Sequence, residues 1–110
     1  MILAKFLSTE DETIFGFEIS GHSRYRARGK DIVCASVSSC SYMVANTVTE
    51  IYKIDAEIDV EKESGFLSLS IPISRADELQ PLFEGFRLHL EALSEEYRKY
   101  LKVENETIHK

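Results

Sequence analysis

Two residue types that together can cleave an amide lie close in this sequence: a histidine, His22, and a cysteine, Cys34, twelve positions later. A thiolate is a strong nucleophile, and an imidazole within hydrogen-bond reach can take up and return the proton. The pair is therefore suited to nucleophilic attack on a carbonyl carbon. The spacing alone does not specify this chemistry, because cysteine enzymes share no common spacing. A surface histidine and a packing cysteine are the other interpretation.

Several features around Cys34 favour the thiolate form. Asp31 is a good N-cap, which predicts a helix over about 32–52 with Cys34 in its first turn. Unpaired backbone N–H groups and the helix dipole stabilise negative charge there, and these N–H groups could form part of an oxyanion hole. We interpret Asp31 as a cap rather than as a third catalytic group, because capping would occupy its oxygens. The cysteine is also preceded by four cations, which are Arg24, Arg26, Arg28 and Lys30.

The second cysteine, Cys40, has a structural interpretation. It falls on an apolar stripe of the predicted helix, where a free thiol packs as a small hydrophobe. The members of the stripe are Val33, Val37, Cys40, Val44, Val48 and Ile51. On one helix the two thiols would be about 9 Å apart along the axis, which excludes a disulfide between them. Two cysteines and three scattered histidines have no zinc spacing, so we expect no metal and no cofactor.

Three further residues could support this chemistry. Ser38 follows Cys34 by one helical turn, so its hydroxyl could hydrogen-bond near the site or bond back to its own helix. Gly21 ends a strand directly before His22, and it is expected to permit a tight turn or a close backbone approach, as is Gly29. Asp31 completes the group of supporting residues, with the capping role given above.

The predicted elements place His22 and Cys34 between the first strands and the first helix. Apolar alternation predicts a hairpin from MILAKFL and TIFGFEIS, and a second hairpin from AEIDVEKESGFLSLSIPI with its turn at Glu-Ser-Gly. Ser74 is expected to cap a second helix, in which Pro81 marks a kink or a late start. Leu101 and Val103 predict a short closing strand, and the tail ENETIHK is expected to fray. The order ββαββαβ over 1–110 predicts a single α+β domain of two layers, with one β-sheet and helices packed on one face.

Composition narrows the class of protein. Apolar residues make up 44% of 110 residues, which is typical of one globular domain. No uninterrupted apolar run approaches the roughly 20 residues of a membrane span, and the first residues are too quickly acidic for a signal peptide. We therefore expect a cytoplasmic protein without a membrane partner. The net charge of −6 argues against a required nucleic-acid partner, although the basic segment before Cys34 could be a solvated lid or could steer the protein toward RNA.

The segment from Gly21 to Ser38 resembles the signature of a known family, the ribosomal-processing cysteine protease Prp family. The resemblance rests on Gly21-His22-Ser23, on Gly29, and on Asp31-Ile32-Val33-Cys34-Ala35-Ser36-Val37-Ser38, which match without a gap. The chain length and the order of elements match over nearly all of the chain. Ser23 and Ser36 stand where the family has alanines. Both changes are small and leave the pair in place, although Ser23 could alter the polarity around His22.

The resemblance implies a specific activity. Members of the family remove an N-terminal extension from bacterial large-subunit ribosomal protein number twenty-seven, a step needed for ribosome assembly. By motif position Cys34 is the nucleophile and His22 the proton donor and acceptor, and members of the family form homodimers. Two other functions fit these residues less well. A non-catalytic dimeric ribosome-associated binding module would not need both residues, and a thiol redox sensor would need an accessible resolving cysteine.

Overall fold

The structure is a computed structural model that describes residues 1–21 and 28–109, with the backbone alone for residues 28–31. His22 and the rest of 22–27 lie outside the described residues. The elements are β1 (Ile2–Ser8), β2 (Ile14–Ser20), α1 (Arg28–Asn46), β3 (Glu57–Glu61), β4 (Phe66–Ser70), α2 (Gln80–Glu96) and β5 (Leu101–Thr107). The predicted order of elements and the α+β class are confirmed.

One mixed sheet of five strands, in the order β3-β4-β2-β1-β5, carries the fold. The two predicted hairpins pair as antiparallel strands, and β5 pairs with β1 in parallel. Apolar and polar residues alternate along the strands, so the sheet has one apolar face. On that face Phe17 is the register partner of Phe6 on one side and of Leu69 on the other. The opposite face carries polar residues, among them the register partners Lys5 and Glu18. This pattern buries one face and leaves the other to solvent.

The core lies between the apolar face of the sheet and the two helices. Phe86 of α2 packs edge-on against Phe6 and Phe17, with ring centroids 5.4 and 5.0 Å apart, and Phe83 reaches Phe17 at 6.5 Å. Edge-to-face packing matches the positive edge of one ring to the negative face of another. From α1, the valines of the predicted stripe at positions 33, 37 and 44 are buried in the same core, and Val48, just after α1, is buried with them.

The first helix begins earlier than predicted. The backbone is helical from Arg28, so Asp31 lies inside α1 and is not its N-cap. Residues 28–30 of the predicted loop belong to the helix, and residues 22–27 of it lie outside the described residues. The sequence did not separate these possibilities, because an aspartate is favourable both at a cap and in the first helical turn, where a carboxylate meets the positive end of the helix dipole. The side chain of Asp31 lies outside the described residues.

The end of the first helix also differs from the expectation. A π-helical turn spans Thr47–Ile51, with the N–H of Tyr52 donating to the carbonyl of Thr47 at 3.0 Å. A π turn holds more residues than an α turn, so it rotates later residues away from the stripe. Ile51, predicted to lie in the core, is consequently 74% exposed.

Two expectations near the C-terminal half were wrong. Ser74 does not cap a helix, because short 3₁₀ turns at Ile73–Arg75 and Asp77–Leu79 precede α2. Pro81 lies at the first positions of α2, where its missing N–H is harmless, so the late start is the correct alternative. The tail is not frayed up to Thr107, since β5 pairs with β1 along its whole length and the N–H of Ile108 donates to the carbonyl of Ser8 at 2.8 Å.

One helical run, Ile32–Ile51, is long and apolar enough to cross a membrane by length and composition alone. This differs from the expectation that no apolar run would be long enough. Polar residues interrupt the run, and it reaches this length only when they are included. Val33, Val37, Val44 and Val48 of this run lie in the core, which is the pattern of a helix that packs on its own sheet. Among the described residues, no group of three or more His, Cys, Asp or Glu is placed to hold a metal ion.

Candidate active site

Cys34 is the seventh residue of α1 and is half-buried against the edge of the core. Its place in the second turn corrects the prediction of a first-turn cysteine. Only the first four N–H groups of a helix lack partners within the helix, so the backbone N–H of Cys34 is not a free donor for an oxyanion.

Cys34 forms part of the wall of a pocket of about 350 Å³. Three elements contribute to it: the end of β2, one face of α1, and the β3–β4 hairpin. The lining residues are Ile19, Cys34, Ala35, Ser38, Ser41, Tyr42, Glu61, Lys62, Gly65, Phe66 and Leu67. A pocket of this size that includes a half-buried thiol can hold a side chain of a bound peptide next to the sulfur.

Gly21 is the residue directly after β2. Its φ is +96°, and a Cβ at this position would lie 2.2 Å from the carbonyl oxygen of Met1. Both facts require glycine, as the sequence led us to expect. Gly21 does not line the pocket, but Ile19 does, two residues earlier on β2. His22 follows Gly21 and lies outside the described residues.

The pocket face of α1 continues after Cys34 at intervals of one helical turn. Ser38 lines the pocket and is exposed, and its hydroxyl has no hydrogen-bond partner among the residues that the structure describes. Ser41 is buried and donates to the carbonyl of Val37 at 2.6 Å. Tyr42 also lines the pocket, a contribution that sequence reasoning missed. The available signal was its spacing, four residues after Ser38 and eight after Cys34, which places all three on one helix face.

Sequence reasoning missed the contribution of the second hairpin. Glu61, Lys62 and Phe66, at the end of this hairpin, also line the pocket. Gly65, with φ +70°, permits the turn, and its N–H donates to the carbonyl of Lys62 at 3.3 Å. The hairpin and the cysteine are far apart in the chain. Their contact follows from the sheet order, which local spacing does not contain.

Cys40 lies in a different place from Cys34. It is half-buried rather than fully buried, and it lines a small apolar groove between α1 and α2 with Met43, Leu82 and His89. The two thiols line separate cavities, and neither forms a disulfide. Cys40 therefore packs as the stripe predicted, with one side open to the groove.

A comparison with known protein families identifies the family of the whole chain. The family model of the cysteine protease Prp matches residues 1–102. The chain belongs to the Prp family of cysteine proteases. A ribosomal processing cysteine protease Prp of Bacillus subtilis (strain 168) is 29% identical over 107 residues, covering 94% of this chain and 96% of that protein.

Solved structures agree on the fold. An essential ribosomal processing protease Prp from S. aureus, in complex with a substrate peptide, superposes with a TM-score of 0.86 at 19% identity, covering 96% of this chain and 100% of that one. A Streptococcus mutans protein superposes with a TM-score of 0.85 at 25% identity, covering 98% and 96%. The Prp resemblance and the two-layer fold predicted from the sequence are thus confirmed.

Proposed function

We propose that this Prp-family chain is a cysteine endopeptidase that removes the N-terminal extension of bacterial large-subunit ribosomal protein number twenty-seven. The observation that carries the proposal is the position of Cys34, half-buried in the wall of a pocket of about 350 Å³. A similarly sized S. aureus Prp is described with a substrate peptide, and the B. subtilis relative is a ribosomal processing protease. The substrate assignment rests on the family resemblance of the motif.

The proposed chemistry uses Cys34 as the nucleophile and His22 as the proton carrier. His22 takes the proton of the Cys34 thiol, and the thiolate sulfur attacks the carbonyl carbon of the scissile peptide and forms a C–S bond. The C–N bond then breaks, and His22 gives a proton to the departing amine. Water, deprotonated by His22, attacks the resulting thioester. The extension leaves with a new carboxylate, and the thiol is restored.

His22 lies outside the described residues, but the residues around it support its pairing with Cys34. Ile19 of β2 lines the pocket together with Cys34, and His22 follows Ile19 by three residues. Gly21 turns the chain at this point through a conformation that L-side chains rarely adopt. A histidine directly after that turn starts from the same end of β2 that borders the thiol. Asp31 and Ser38 remain supporting residues in this proposal, Ser38 through its exposed hydroxyl in the pocket.

We also propose that the chain acts in the cytoplasm as a homodimer, as the family resemblance implies. Sedimentation equilibrium of the purified protein tests the dimer. A single species of monomer mass at micromolar concentration would contradict it.

The function itself is tested by incubating the purified protein with the ribosomal protein that carries its extension and measuring the product masses. The account predicts one cut that releases the extension, with no cut in the same protein made without the extension. His22→Ala should remove the cut while the folded fraction is unchanged by circular dichroism. Tight binding of the uncut ribosomal protein without cleavage would instead favour a non-catalytic binding module.

A further inference from the structure

One edge of the sheet is open beside the candidate active site. β3 (Glu57–Glu61) pairs with β4 on one side, and it is an outer strand of the sheet. All five of its residues are exposed. Within residues 1–21 and 28–109, no backbone hydrogen bond is made to its outer side. Such an edge presents a row of N–H and C=O groups that can pair with another extended chain.

The two faces of β3 differ sharply in chemistry. Ile58 and Val60 lie on the helix-covered face, in register with the core residues Leu69 and Leu67, yet each is 43% exposed. On the open face, in contrast, every residue of the strand is acidic: Glu57, Asp59 and Glu61. A chain that paired with this edge would therefore place alternate side chains beside an apolar row and beside an acidic row.

The edge leads directly into the pocket of Cys34. Glu61, the last residue of β3, lines that pocket, as does Lys62 after it. Five residues of strand span about 16 Å. A peptide whose scissile bond reached Cys34 could thus lie along β3 for several residues on one side of the cut.

We propose that the outer edge of β3 binds an extended segment of the substrate, with alternating apolar and basic side chains, as an added strand. The apolar side chains pack on Ile58 and Val60, and the basic ones pair with Glu57 and Asp59. This inference deepens the proposed function, and it rests on that function for the identity of the bound chain as substrate. Backbone pairing supplies affinity, and the two rows supply selectivity.

A second copy of this chain is a poor occupant of the edge. If two β3 strands paired antiparallel about Asp59, Asp59 would face Asp59 and Glu57 would face Glu61. Like charges directly opposite each other destabilise a strand pair. The acidic row therefore opposes self-pairing and favours a basic partner.

The test uses the Cys34→Ala protein, so binding can be measured without cleavage. The probe is a fluorescent peptide of about seven residues with alternating valine and lysine, whose affinity is read from anisotropy. Two further peptides have the same sequence. One carries N-methyl groups on its odd residues, and the other carries them on its even residues. Only one set of peptide N–H groups can point toward β3. We expect one methylated peptide to lose at least about tenfold in affinity and the other to keep it. Equal affinity of both methylated peptides for the protein would overturn the inference. It would mean that side-chain charge alone attracts the peptide, without hydrogen bonds from the peptide backbone to β3.

Charge reversal locates the binding on the protein. Glu57→Lys combined with Asp59→Lys should weaken the valine–lysine peptide by roughly tenfold, because two cross-strand pairs become repulsive. The control is Glu91→Lys with Glu95→Lys on exposed positions of α2, which changes the net charge equally and should leave affinity unchanged. An equal loss in both double variants would overturn the assignment to β3. So would β3-dependent self-association that excludes the peptide.

The outcome separates this inference from the proposed function. If the ribosomal protein is cut but the peptides do not bind through β3, the docking inference alone is wrong. If the peptides bind through β3 and the ribosomal protein is not cut, the docking edge stands as a peptide site and the proposed protease activity on that substrate is wrong.

Discussion

Ile19, near the end of β2, and Cys34, in the second turn of α1, line the same pocket. They belong to different layers of the fold, so the pocket forms only where the helix crosses the end of the strand. The segment between them contains His22. The sheet and the helix therefore bring Ile19 and Cys34, which lie on either side of His22 in the sequence, to one pocket, and the proposed chemistry requires this convergence.

The two cysteines should respond differently to substitution. Cys34→Ala and Cys34→Ser should abolish cleavage of the ribosomal protein with little change in stability, because Cys34 lies at the edge of the core. Cys40→Ala should keep activity and lower the free energy of unfolding by about 1 kcal/mol, because it removes a partly buried sulfur from the α1–α2 groove. Cleavage assays and urea unfolding measure both effects. Substantial cleavage by either Cys34 variant would reject the nucleophile.

A bulky residue at Ser38 should block the pocket. Ser38→Phe is expected to lower kcat/KM by at least about tenfold, because the ring would occupy space that a substrate side chain needs. The matched control is Ser39→Phe, since Ser39 is also exposed on α1 but does not line this pocket. Urea unfolding should be similar for both variants. Equal losses of activity would mean that the pocket next to Cys34 is not where substrate binds.

The sequence contained the elements of the fold but not all of their boundaries. Alternation found both hairpins, and the 3.6-residue period found the buried valines of α1. The helix start was misplaced, because Asp31 suits both a cap and a first turn. Ile51 was misassigned since the π turn at Thr47–Ile51 breaks the period. The extent of β5 depends on parallel pairing with β1, a long-range contact that the polar sequence ENET does not suggest.

Only the part of the candidate site that comes from one helix was predictable from the sequence. Cys34 and Ser38 share a helix face, so their common pocket followed from spacing. Glu61, Lys62 and Phe66 reach the pocket because β4 lies beside β2 in the sheet, an order that no local pattern records. His22 and the basic residues at 24 and 26 lie outside the described residues, so their roles stay predictions.

Two glycines should respond in opposite directions to alanine. Gly21→Ala should lower the free energy of unfolding by about 1–3 kcal/mol and reduce cleavage, because the residue has φ +96° and a Cβ would meet the carbonyl oxygen of Met1. Gly85→Ala is the control. Apart from its chain neighbours and the backbone of its own helix, nothing lies within 4 Å of its Cβ position, and it is inside α2, so stability should rise by about 0.5–1 kcal/mol. A neutral Gly21→Ala would contradict the assigned strain.

Gln80 should be important for the attachment of α2 to β2. Its Oε1 accepts from the N–H of Ile14 at 2.9 Å, and its Nε2 donates to the carbonyls of Ile14 and Ala76 at 2.7 and 2.9 Å. Gln80→Ala should lower the free energy of unfolding by about 2 kcal/mol, since part-buried backbone groups lose their partners. Glu78→Ala, which breaks only an exposed pair with Arg75, should change it by less than about 0.5 kcal/mol. Similar effects of both changes in urea unfolding would be inconsistent with this role.

The central claim is that the Cys34 sulfur attacks the peptide bond of the substrate. The most direct measurement is the intact mass of the protein after the reaction with the extended ribosomal protein is quenched in acid, followed by peptide mapping. The account predicts an adduct with the mass of the acylated extension on the peptide that contains Cys34, absent in Cys34→Ala and still present in Cys40→Ala. Full cleavage of the ribosomal protein by Cys34→Ala, or an adduct confined to Cys40, would contradict it.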